Sequence, residues 1–488
     1  MTALLPVLVL STSLVPACLI FFLREDQERL RTAINLAGAG LKLALVALML
    51  EGVGRGAVYE TRLALVPGLD MILRADALAL LFLTLSAFLW LLTTIYAIAY
   101  FRTKANLSRF FGFFSLCVAA TTGIALSGSL ITFFVFYELL TLSTWPLVVH
   151  KGDPDSIAAG RRYLAYTMGG SAALLLGIVW VESLTGPIEF TKHGALTGLD
   201  PDTMRATFVL MVGGLGVKAA IVPLHGWLPA AMVAPAPVSA LLHAVAVVKA
   251  GAFGIVRVIY DVYGIAYFQG LGLGLPLALV ASFTILYGSF RALSQADIKR
   301  RLAFSTVSQV SYIVLGAALV GPFATIGGLV HLVHQGLMKI TLFFCAGALA
   351  ERLHVYRVEE MDGVGRRMPW TMLAFSIAAL GMIGVPPVAG FVSKWYLGVG
   401  GLQGGQVWVI FVLAGSSLLN AAYFLPLLYR AWFREGSSAA DPGPEGSLGL
   451  IGPPVATAAV ALGAGVLAGA ALSPLGWATL IVARTYSP

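Results

Sequence analysis

The stretch ATIGGLVHLVHQGLMKITLFFCAGALA, residues 324–350, is apolar over a length that crosses a bilayer as a helix, yet it carries His331, His334 and Lys339. At 100° per residue these three fall at 0°, −60° and 80°, on one broad face. An ionised side chain at bilayer depth costs roughly 2.5–3.5 kcal/mol on insertion scales, so such residues persist where they pair or line a wet path. Two imidazoles and an ammonium on one face suit stepwise proton hopping, because imidazole titrates near neutral pH. A metal site or helix-packing hydrogen bonds are the alternatives. No acid or cysteine completes a ligand set within this span.

The same kind of run recurs along all 488 residues: 3–23, 33–51, 75–100, 109–127, 129–149, 162–183, 206–224, 238–260, 268–290, 302–320, 324–350, 370–399, 405–430 and 453–483. Hydrophobic residues make up 59 % of the chain, charged residues only 11 %, and the mean hydropathy is +0.89, so nearly everything lies in lipid or in protein buried within it. The fold expected is an all-α polytopic membrane protein of about 14 transmembrane helices. No Lys or Arg precedes Arg24, which argues for a retained first helix rather than a cleaved leader. The net charge of +8 does not point to nucleic acid, since the basic residues sit in short runs between spans. Counting Arg109, Arg162 and Arg430 at the run edges with the adjoining loops, loops after odd-numbered runs hold 19 Lys and Arg, and those after even-numbered runs, the C-terminal tail included, hold 6. That asymmetry puts the odd loops in the cytoplasm and both termini on the outer face. Cys18, Cys117 and Cys345 have no metal or redox spacing and read as small buried hydrophobes. The polar stretch 431–448 is too short to fold alone. No phosphate-binding loop is present, and the glycines at 213–216 follow no strand, so neither nucleotide drive nor a cofactor is expected.

Apart from those three edge arginines, six basic residues lie within the spans: Lys42, Lys218, Lys249, Arg257, Lys339 and Lys394. Glu138, in FFVFYELL, is the one acid well inside a run. Glu138 and Lys218 are expected to form a functional pair. A low-dielectric setting disfavours the Lys218 ammonium and a nearby carboxylate restores it, which makes a switchable proton site; the alternative is an ion pair that only locks two helices. Lys249 is flanked by small residues, and His243 lies six positions earlier, off its face. Lys42 reads as a packing residue or a lipid-facing snorkeller, and Arg257 as an interface residue beside Asp261. The seventh run ends at Pro223, and the twelfth is interrupted by Pro386 and Pro387. Backbone freed in this way is tolerated where protein buries it or where it lines a wet cavity. Two interrupted helices, 7 and 12, five apart, suggest two inverted five-helix repeats. The divisions are 1–108, 109–261 for helices 4–8, 262–434 for helices 9–13, and 435–488. The repeat is not exact, because Lys218 precedes its proline and Lys394 follows its pair.

Four segments carry a resemblance: KAAIVPLHGWLP (218–229), APAPVSALLH (234–243), ADIKRRLA (296–303) and GVPPVAGF (384–391). They resemble the antiporter-like subunits of respiratory complex I, of Mrp-type cation/proton antiporters and of membrane-bound hydrogenases, over roughly residues 70–430. The resemblance implies 14 helices, two inverted repeats and a central hydrophilic axis. It also implies a proton path at Glu138, Lys218, Lys249, Lys339 and Lys394. A lysine at 394 is similar to the Mrp D subunit, which implies other membrane subunits as partners and Na⁺ or K⁺ exchanged for protons in a bacterial inner membrane. The alternatives are the pumping subunit of a redox enzyme and a structural scaffold.

Overall fold

A computed structural model describes residues 4–102, 106–191, 193–196, 198–436 and 445–486, apart from the Leu69 side chain. Parts of the loops 101–108 and 431–448 therefore lie outside the described residues. Helices α1 (Leu5–Phe21) and α2 (Glu28–Gly54) lead to an antiparallel hairpin, β1 (Tyr59–Val66) and β2 (Leu69–Ala75). Then come α3 (Ala77–Tyr100), α4 (Leu107–Leu126), α5 (Leu130–Val148), α6 (Pro154–Thr185) and α7 (Pro201–Lys218). Next is α8 (Ala236–Tyr263), which contains two π-helical segments, Leu241–Val245 and Val258–Tyr263. The remainder is α9 (Gly274–Leu293), α10 (Ile298–Leu319), α11 (Pro322–Leu353), α12 (Pro369–Ile383), α13 (Ala389–Gln403), α14 (Trp408–Phe433), α15 (Leu448–Val466) and α16 (Pro474–Thr485).

Eleven helices among the described residues are long and apolar enough to cross a membrane. Helix starts follow local chemistry. Asp76, Ser129, Asp153, Asp200 and Asp297 each accept a backbone N–H from the first turn of α3, α5, α6, α7 and α10. Proline, which has no N–H to leave unpaired, opens α6, α7, α11, α12 and α16.

The helices sort by charge. The apolar windows of α8 and α11, which carry Lys249, His331, His334 and Lys339, are fully buried, whereas those of α2 and α14 are one-third buried. Leu48, Phe411 and Leu418 are exposed on that outer ring. In water this would be inverted; in lipid the apolar side chains face out and the charges retreat into protein.

Three features depart from the sequence reading. The hairpin occupies a stretch read as a loop, turning at Pro67–Gly68 with Gly68 at φ +84°. The final run, 453–483, is two helices rather than one, parted at Leu467–Ser473. Cys18 is exposed, not buried, while Cys117 and Cys345 are buried.

The backbone leaves the helix after Lys218 and after Ile383. Behind Lys218, Ala220 sits at φ +56°, and the indole N–H of Trp227 donates to the freed Val217 carbonyl at 2.7 Å. Gly251 of α8 packs on this break: a Cβ there would lie 2.3 Å from Ala219 N and 2.7 Å from Leu215 O. Only a glycine lets the Lys249 segment come so close.

Candidate functional site

Seven side chains were singled out from sequence, and six of them are buried; Glu138 is half-buried. The Lys218 amine donates to the Tyr137 carbonyl at 2.5 Å and lies 3.2 Å from the Tyr137 ring centroid. That places it one residue from Glu138, although among the described residues no ion pair within 4.0 Å joins the two. The Glu138 carboxylate instead accepts a hydrogen bond from Ser171 on α6.

Four of the remaining five groups, Lys249, His331, Lys339 and Lys394, lie along neighbouring hydrogen bonds. Lys249 donates to the Leu332 carbonyl at 2.7 Å, next to His331. His331 Nδ1 pairs with Ser393 Oγ at 2.8 Å, next to Lys394, and its ring stacks on Tyr312 at 4.9 Å. Lys394 donates to the carbonyls of Met382 and Ile383, the last of α12, at 3.2 and 2.8 Å, and to Ser417 Oγ at 2.9 Å. From Lys339 a second chain runs to Ser305 Oγ at 2.6 Å, then Tyr423 OH at 2.7 Å and Asn420 Oδ1 at 2.6 Å. Asn420 Nδ2 donates to the Met382 carbonyl at 3.0 Å, which Lys394 shares. Lys339 and Lys394 are thus the ends of one hydrogen-bonded path through α11, α10, α14 and α12.

The energetics fit. Each hydrogen bond to a charged group contributes about 1.5–3 kcal/mol, so the three acceptors around Lys394 offset the roughly 2.5–3.5 kcal/mol insertion cost without a carboxylate. Both lysines beside a break meet a helix C-terminus, where the helix dipole favours a cation. Lys218 lies in the last turn of α7, and Lys394 sits over the last carbonyls of α12.

Among the described residues His334 has no hydrogen-bond partner at either ring nitrogen, and neither has His243, whose ring lies 4.5 Å from that of Phe343. The side-chain amides of Gln309 and Gln335 and the Tyr312 hydroxyl are equally without protein partners among the described residues. Buried polar groups of this kind are satisfied by water. Lys42, read as a packing residue or snorkeller, is fully buried and reaches no lipid: it donates to Ser13 at 2.8 Å and to Thr122 at 2.6 Å, with Trp90 beside it. Arg257 does pair with Asp261, at 2.7 Å, but also with Asp76, which sequence reading missed. Ser393, Ser305, Tyr423 and Asn420 were missed too. Asn420 and Tyr423 did have a signal, a polar stripe on α14 in which Ser416, Asn420 and Tyr423 are spaced by four and three along one helical face. Among the described residues no group of three or more His, Cys, Asp and Glu is placed to hold a metal ion.

Comparison with known proteins shows the family and the fold. The family described as "NADH:quinone oxidoreductase/Mrp antiporter, TM" matches residues 127–420, which contain all seven singled-out residues. NADH-quinone oxidoreductase subunit N of Desulforudis audaxviator is 36 % identical over 460 residues, covering 92 % of this chain and 91 % of that protein. The D subunit of the Na(+)/H(+) antiporter of Bacillus subtilis is 26 % identical, covering 78 % of each. A chain in the structure of the Mrp complex from Dietzia sp. DQ12-45-1b superposes with a TM-score of 0.89 at 26 % identity, covering 100 % of this chain and 98 % of that one. With 60 % of its length inside the family match, this multi-pass, mostly helical chain belongs to the NADH:quinone oxidoreductase/Mrp antiporter family of membrane proteins.

Proposed function

We propose that this chain is the proton-translocating subunit of a Mrp-type multisubunit exchanger of Na⁺ or K⁺ for protons. The observation that carries the reading is the set of buried basic groups held side by side: Lys249 on the Leu332 carbonyl beside His331, His331 on Ser393 beside Lys394, and Lys394 joined to Lys339 through Asn420, Tyr423 and Ser305. Glu138 and Lys218 form the first proton-handling pair. His331, His334, Lys339 and Lys394 continue the relay from Lys249. Several basic groups this close cannot all be charged in a low-dielectric core, so protons are shared and moved by small shifts of water or side chain. A membrane potential adds about 2.3 kcal/mol per charge per 100 mV, comparable to one or two pKa units, and so biases the relay.

The chain is divided as 1–108, a first inverted repeat 109–261, a second 262–434, and 435–488. It lies in a bacterial inner membrane with both termini outward, assembled with other membrane subunits. A second reading, the pumping subunit of a redox-driven translocase, is favoured by one observation: the 36 % identity to NADH-quinone oxidoreductase subunit N over 92 % of the chain. The assembled complex in inverted vesicles separates the two. Proton movement on adding Na⁺ or K⁺ supports exchange. Proton movement only on adding NADH or another electron donor assigns the redox reading. Proton movement that persists undiminished in both Glu138→Gln and Lys218→Ala overturns the assigned path.

A further inference from the structure

On the face where the hairpin, the end of α8, the start of α11 and α16 meet lies a cavity of about 460 Å³, lined by Arg74, Asp76, Arg257, Tyr260, Asp261 and Thr325 among others. It has room for on the order of ten waters. Arg257 is only 2 % exposed and meets Asp76 fork to fork, at 2.7 and 2.9 Å. Asp76 also accepts the Ala79 N–H. Asp261 is only 15 % exposed and shares a single guanidinium nitrogen, Nη1, at 2.7 Å.

The two carboxylates are not held alike. One guanidinium serves both, and its two-pronged match is with Asp76. Arg74, on the same wall, is committed to Glu60, Glu189 and the Phe190 carbonyl, while Arg484 donates to the carbonyls of Val53 and Gly54. Asp261, on a single shared nitrogen, is therefore the less firmly held carboxylate at Arg257. Arg257 Nε, buried, has no partner among the described residues, which calls for water in the cavity. Asp261 also sits in the π-helical segment Val258–Tyr263, a local irregularity of the kind that recurs at functional sites. The remaining titratable neighbours are the Tyr260 and Tyr486 hydroxyls, both hydrogen-bonded to Thr325 at 2.7 and 2.9 Å.

Placement links this cavity to the relay. Its α8 wall is the helix of Lys249, twelve residues or roughly 18 Å inward, and Thr325 on its α11 wall lies six residues, roughly 9 Å, from His331. These are the two helices that carry the relay groups, here reaching the face proposed to be outward.

We propose that Asp261 is the terminal proton-exchange group on that face. Its carboxylate takes a proton from hydronium on the relay side, leaving water, and returns it to water in the cavity. Arg257 stays charged throughout and, with Asp76, is a positioning pair. This rests on the proton-translocation reading, and two readouts keep the failures apart. In reconstituted complex, Asp261→Asn is expected to lower proton transport roughly 100-fold and to remove its dependence on pH in the cavity-side compartment, with Asp261→Glu restoring both. In the purified complex, infrared difference spectra between about pH 8 and about pH 5 are expected to contain a carboxyl C=O band that Asp261→Asn lacks. A wild-type complex that moves no protons defeats the functional reading. A band unchanged in Asp261→Asn, or transport unchanged beside an active wild type, overturns the assignment. A band quenched by Na⁺ or K⁺ at fixed pH shows a metal-cation site there and also overturns it.

Discussion

Lys394 is held by three oxygens, two of them the terminal carbonyls of α12. Such a pocket suits a compact ammonium with three rotatable donors, not a planar guanidinium. Arginine also keeps its proton at any pH a cell meets. Lys394→Arg is therefore expected to block proton transport as completely as Lys394→Ala; full activity would show that a fixed charge suffices. The pocket depends on Gly384 as well. Gly384 turns the chain at φ +95°, and a Cβ there would lie 2.8 Å from Lys394 Cδ. Gly384→Ala should displace the amine and lower transport on the order of 100-fold in the same vesicle assay, with the complex still assembled. At this scale the sequence was legible where residue type clashed with surroundings, because lysine in an apolar run needs an explanation. It was illegible for Ser393 and Ser305, since serine is tolerated in membrane helices and only its neighbours give it meaning.

Among the elements, the hairpin shows why pattern reading stopped short. Most of β1 is exposed on both faces, so no inside–outside alternation announces the strand. What fixes it are charges and stray backbone groups. Gly128 N donates to the Ile72 carbonyl at 2.8 Å and Phe190 N to the Gly128 carbonyl at 2.9 Å. Arg62 and Arg74 bridge Glu60 to Glu189 across the gap to the segment after α6. Burial works against ionisation of Glu60, but Arg74 and Arg62 outweigh it and hold the carboxyl below its ordinary range. Arg62 does the same for Glu189, against partial burial and with help from Arg74. A carboxyl depressed on folding contributes stability that is present in full above the unfolded value near ~4.3 and is lost as pH falls through the folded value. The hairpin should therefore stay docked at neutral pH and loosen below about pH 4. A spin label at Leu65→Cys would report this as rising mobility on acidification, and Arg74→Gln should already be mobile at neutral pH. Mobility flat across the range would mean the cluster holds nothing.

For the whole molecule, the membrane dictates the arrangement and the loops record it. Segments that follow α2, α4, α6, α8 and α10 are stitched together on one face, by Gly128 to Ile72, Phe190 to Gly128, Thr191 to the Asp261 carbonyl, and Gly321 to Tyr486. Segments after α1, α3, α9, α11 and α14 meet on the other, by Leu107 and Ser108 to Glu25, Ile298 to the Tyr356 carbonyl, and Gly363 to the Arg430 carbonyl. This second face holds most of the basic loops counted in the sequence, which is why apolar run lengths and Lys/Arg placement carried so much of the architecture. The split of the final run was missed on hydropathy, because Leu467–Leu472 is as apolar as its flanks; the local signal was Ser473–Pro474, a capping serine followed by the proline that opens α16. Cytoplasmic loops carry the excess of Lys and Arg, so the second face is expected to be cytoplasmic and the hairpin face, with the Asp261 cavity, outward. Single cysteines at two exposed positions decide this in a Cys18→Ala background, which removes the one exposed native thiol among the described residues. In intact cells Val58→Cys, beside the hairpin, should react with a membrane-impermeant maleimide. Asp26→Cys, in the loop after α1, should react only once the membrane is opened. The reverse pattern would invert the orientation and turn the Asp261 cavity toward the cytoplasm, and labelling of both from one side would break the alternation on which the arrangement of spans rests.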